Sequence, residues 1–129
     1  MPGRYSTEIR NARLVVVRDA LNGGRIEILA DAGFRLAAID LDKVSGDVIS
    51  GSLLFSGFPK FAMAESTGLP DVARLVSATG AVVREGMTVG VHIPATATAP
   101  AKSFDIAIEN ANIQIGNVVK LERAEIRHA

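Results

Sequence analysis

The chain has 129 residues, 14 basic against 14 acidic side chains and no cysteine. That length suits one domain, 1–129, with a core of its own, and the missing cysteines remove disulfide frameworks, thiolate metal sites and cysteine nucleophiles together. Balanced charge supplies no field to draw in nucleic acid or anionic lipid, and aromatics at only 5% leave little on which single-stranded bases would stack.

Ser6 and Thr7 are helix-capping residues, and Ile9, Ala12, Val16, Ala20 and Leu21 follow at three- and four-residue intervals until Asn22-Gly23-Gly24. This predicts a helix over about 6–22 that stops at the glycines. The apolar run Leu14-Val15-Val16-Val17 is far shorter than the ~20 residues needed to cross a bilayer. Arg4, Glu8, Arg10 and Arg13 crowd the N-terminus, where a signal peptide would need an apolar core, so no signal peptide is expected.

From Gly24 onward the period becomes two, predicting a β body over about 25–128. Ile26 and Ile28 alternate with Arg25 and Glu27, and Asp31-Ala32-Gly33 has turn chemistry. A second strand spans 36–41, with Ile39 and Leu41 on one face and Asp40 and Asp42 on the other, ended by Ser45-Gly46-Asp47. A short apolar segment follows at 52–56. Beyond it Gly57, Pro59, Gly68 and Pro70 punctuate a long connection with no clean period.

Segments 72–76 and 81–84 flank Ser77-Ala78-Thr79-Gly80, which predicts a hairpin whose second arm continues to Val91. Residues 94–103 are almost all Ala, Thr and Pro and read as a surface loop. Phe104, Ile106 and Ile108 alternate with Asp105, Ala107 and Glu109, the clearest half-buried strand in the chain. After Gly116, Val119 and Leu121 are in phase, and then the phase slips to Ala124 and Ile126. A β-bulge near Glu122-Arg123 would restore one core face. Seven or eight short strands behind one helix predict a mainly β fold, an antiparallel sandwich or jelly roll.

The order of these segments resembles small virion structural proteins of tailed bacteriophages and prophages. The likeness runs through the helix into Gly23-Gly24-Arg25-Ile26-Glu27-Ile28-Leu29, the strand Leu36-Ala37-Ala38-Ile39-Asp40-Leu41, and the hairpin from Ala73 to Val83. It closes with Phe104-Asp105-Ile106-Ala107-Ile108-Glu109-Asn110-Ala111-Asn112-Ile113, Gly116 and the phase-slipped last strand. The resemblance implies a capsid cement or decoration protein that binds the outside of an assembled head and ties neighbouring capsomers together. The major capsid protein or another virion protein would be its partner, and a homo-oligomer, dimer or trimer, its state. The chain departs from the pattern in the proline-containing region 58–70 and the loop 94–103, which leaves a tail or neck position open.

The residues themselves carry no catalytic pattern. His92 and His128 are the only imidazoles, no serine sits in a nucleophile elbow, and a metal would have to recruit scattered carboxylates. Asp40, Asp42 and Asp47 lack the calcium-loop spacing with its closing glutamate. Gly23-Gly24 follows a helix and precedes a strand, the reverse of a phosphate loop. No catalytic residue, cofactor or metal is therefore predicted. Phe55, Phe58, Phe61 and Met63 are bunched around prolines and either fold back on the core or anchor a partner. Arg123, Glu125 and Arg127 alternate on the last strand as a charged outer face that either keeps an edge soluble or pairs with a capsid surface. A carbohydrate- or small-ligand-binding β module is the competing class, weakened by the absence of Trp and the single Tyr5.

Overall fold

The computed structural model describes residues 6–91, 96–98 and 104–127. It is mainly β with one helix. Helix α1 (Thr7–Leu21) is followed by β1 (Arg25–Ala30), β2 (Arg35–Asp40), β3 (Gly46–Ile49), β4 (Ser52–Phe55), β5 (Lys60–Met63), β6 (Pro70–Val76), β7 (Val82–Gly90), β8 (Ile106–Ile108) and β9 (Val118–Arg127). The strands follow the path β2-β1-β6-β7-β8-β9-β4-β3, with β5 also paired to β9.

Helix α1 begins where the sequence places its cap. The Ser6 hydroxyl accepts from the Ile9 N–H, satisfying one of the amides that a first turn leaves open. At the other end the Gly24 N–H donates to the Leu21 carbonyl, and Gly23 takes φ +70°, a conformation that costs glycine little. The buried face differs from the expected one. Leu14 and Leu21 are buried and Val17 packs on the core, whereas Ile9 and Val16 are exposed. Apolar residues surround this helix, so polar anchors choose its face. Asn11 Oδ1 accepts from the Gly51 N–H at 2.7 Å, Asn22 Oδ1 from the Ser45 N–H at 2.9 Å, and the buried Ser45 hydroxyl donates to the Arg18 carbonyl. The helix thus packs on the chain's own β3–β4 hairpin.

Two strands lie where the sequence shows none. Ser45-Gly46-Asp47, read as a turn, opens β3, because Gly46 lets the backbone approach β4 closely. A Cβ there would fall 2.3 Å from the Leu54 carbonyl oxygen. Ser50 and Gly51, both at positive φ, close this hairpin as a two-residue turn. Strand β5 falls inside the connection read as irregular. Its larger apolar side chains, Phe61 and Met63, point outward and Lys60 and Ala62 inward, an inverted alternation that hydrophobic period cannot detect.

Register shifts between β1 and β2, β1 and β6, β6 and β7, and β8 and β9 each add local twist, and the sheet curls into an open half-barrel. The Glu65 N–H donates to the Leu36 carbonyl at 2.7 Å, drawing the segment after β5 against β2. The bulge in β9 lies where the phase slip puts it. Leu121 pairs with Ile108 and Arg123 with Ala107, so Glu122 is the extra residue, and Val119, Leu121, Ala124 and Ile126 all reach the core. One edge of β9 pairs with β5 before the bulge and with β4 after it, so the sheet forks there.

One pair, β7 with β8, is parallel, joined by the long 91–105 connection that a parallel pair requires. Thr88 and Asp105 clamp it reciprocally: the Thr88 N–H donates to Asp105 Oδ2 and the Asp105 N–H to Thr88 Oγ1. Of the predicted loop 94–103 only 96–98 is described, and those residues are exposed; the rest lies outside the described residues. The core is a single cluster of Leu, Ile, Val, Ala and Met with one ring, Phe55.

Candidate functional site

The outer face of β9 gathers four of the six residues singled out above. Val119 and Leu121 point inward, so Val118 and Lys120 point out, opposite Met63 and Phe61 of β5. Beyond the bulge Ala124 and Ile126 point inward and Arg123, Glu125 and Arg127 out, beside Leu54 and Ser52 of β4. Phe61 is 62% exposed. Met63 and Val118 are equally open, making one end of the face apolar. At the other end Ile49 and Leu54 stay exposed beside the ladder Arg123–Glu125–Arg127, with N···O distances of 2.6 and 3.2 Å. The centres of the two ends, near Val119 and Glu125, lie about 20 Å apart along the strand.

The other two candidates lie deeper. Phe55 is 3% exposed, a core residue with no surface to offer, because β4 alternates Leu53 and Phe55 inward. Phe58 is half-buried against the core, with Lys60 Nζ 5.8 Å above its ring and that ammonium bound to Asp42 Oδ1 at 2.6 Å. Asp40 and Asp47 are exposed on separate strands. His92 and His128 lie outside the described residues. Among the described residues no three of His, Asp and Glu stand together as a metal site.

The densest polar cluster was not legible in the sequence. Glu27 is on the outer face of β1, yet it is 2% exposed because three arginines cover it. Arg25 Nε donates to its Oε2 at 2.8 Å, Arg35 Nη1 to Oε2 at 3.0 Å, and Arg74 Nε to Oε1 at 2.5 Å. Arg35 also grips Glu65 at 2.7 Å, and both carboxylates raise the pKa of its guanidinium. Burial alone would raise the carboxyl pKa of Glu27; hydrogen bonds from Arg25, Arg74 and Arg35 more than reverse this and hold it at about 2. With its oxygens committed and its proton gone at neutral pH, Glu27 ties β1 to β2 and β6. Arg25 is visible two residues away, but Arg35 and Arg74 meet it only through strand pairing.

A groove of about 320 Å³ opens between the loop 109–117 and the apolar end of the β9 face. The loop is pinned. Gly68 and Ile113 exchange backbone hydrogen bonds, the Ile115 N–H donates to Thr67 Oγ1, the Gly116 N–H to the Ala64 carbonyl, and Ile113 is buried. Asn110 Oδ1 accepts from the Asn112 N–H at 2.9 Å and fixes the turn. Lys120 and Glu109, neighbours joined by a backbone hydrogen bond, both line the groove and pair at 3.5 Å. No protein-family model matches this chain, and no curated protein or solved structure is similar to it.

Proposed function

We propose that the chain is a virion structural protein of a tailed bacteriophage, a cement or decoration component that binds the outside of the head. The order of helix and strands supports this reading through its resemblance to that class. The observation that carries it is the end of the β9 face where Ile49 and Leu54 stay exposed beside Arg123 and Arg127. Exposed apolar side chains beside arginines have the composition of a protein-binding patch. The curled sheet with its clamped helix is read as a jelly-roll variant, a rigid body that acts by covering a neighbour.

Each copy would contribute modest affinity, and the repeating lattice would multiply it. Self-association into a dimer or trimer would let one small body bridge two capsomers on a symmetry axis. Co-sedimentation of the purified chain with heads stripped of it tests the reading. Wild type is expected to pellet with heads in fixed stoichiometry, and Leu54→Asp combined with Arg123→Glu to stay in the supernatant. Binding to tails or necks in place of heads would move the protein to another virion position; binding to neither would remove the reading.

A further inference from the structure

The chain holds six carboxamide side chains, and four of them, Asn110, Asn112, Gln114 and Asn117, lie within eight residues. All four line the groove beside β9, and Phe61 forms part of its wall. Such clustering exceeds what a turn requires. Asn110 alone serves the turn; the side chains of Asn112, Gln114 and Asn117 make no hydrogen bond among the described residues. Each offers a carbonyl acceptor and an NH2 donor side by side.

The groove's two charged groups, Glu109 and Lys120, pair with each other and leave it without net charge, so the complementary ligand is neutral. It must present adjacent donors and acceptors along one edge and an apolar face to an aromatic ring. A pyranose does both, because vicinal hydroxyls pair with a carboxamide while the axial C–H bonds lie on a ring face. The volume sits at the low end of the ~300–1,000 Å³ of ligand pockets, enough for one or two sugar rings. The pinned backbone keeps the site formed without ligand, so little ordering opposes binding.

We infer that the groove between the 109–117 loop and Phe61 binds a neutral, equatorially hydroxylated saccharide of the glucose type. This goes beyond the virion role and uses the opposite end of the β9 face. The experiment is a titration of the full 15N-labelled chain with cellobiose, followed through the side-chain NH2 signals and the Phe61 ring protons, with sorbitol as an acyclic polyol control. The expected result is saturable shifts at Asn112, Gln114, Asn117 and Phe61 with a Kd of about 1 mM. Sorbitol is expected to give none. Phe61→Ala and the pair Asn112→Ala/Gln114→Ala should each weaken cellobiose at least about tenfold, with melting temperature and head binding unchanged. No saturable shift with cellobiose, equal shifts with sorbitol, or binding that survives both variants would overturn the proposal.

Discussion

Replacing Glu27 by Gln keeps the shape of the side chain and removes the charge that three arginines surround. The carboxyl falls from an ordinary value of 4.5 to about 2, and at about 1.36 kcal/mol for each pH unit the ionised form stabilises the fold by about 3 kcal/mol. The sign follows from the lowered value. The contribution is fully present above the unfolded pKa, and it drains away as pH falls through the folded one. About 1.4 kcal/mol remains at pH 3. Urea unfolding of wild type and Glu27→Gln at pH 7 and pH 3 measures it. The variant should be about 3 kcal/mol less stable at pH 7, with the gap at least halved at pH 3. A gap under about 1 kcal/mol at pH 7, or one that does not shrink on acidification, would show that the arginines are solvent-screened and that the cluster does not tie the strands together.

Gly90→Ala would place a methyl 2.5 Å from the Phe104 ring; it should cost about 1–3 kcal/mol in thermal unfolding, and adding Phe104→Ala should recover part of that. Asn22→Ala strands the N–H of the buried Ser45 and should cost about 1–3 kcal/mol, with faster hydrogen exchange at Ser45 than in wild type. Deleting Glu122 removes the bulge and turns either Val119 and Leu121 or Ala124 and Ile126 out of the core, so a loss above about 4 kcal/mol is expected in urea unfolding.

What the sequence made legible was whatever alternation or capping writes locally. Ser6 and Gly23-Gly24 bound the helix because caps are short-range chemistry, and the slip after Leu121 located a bulge because side chains must return to one core. The same logic failed where packing reverses the pattern. β5 turns Phe61 and Met63 to solvent, and α1 buries Leu14 and Leu21 while Val16 stays out, because hydrogen bonds from the Gly51 and Ser45 N–H groups to Asn11 and Asn22 orient it. The Glu27 cluster was hidden for another reason: Arg35 and Arg74 reach it across strand pairs 8 and 47 residues away in sequence. The carboxamide run 110–117 was visible as composition, but only the fold sets it against Phe61.

Imaging purified particles at a resolution that traces strands bears most directly on the virion role. The account predicts this half-barrel repeated at regular lattice positions on the outside of the head, with Ile49, Leu54, Arg123 and Arg127 turned toward the shell. Particles of full composition that lack the chain altogether would contradict it.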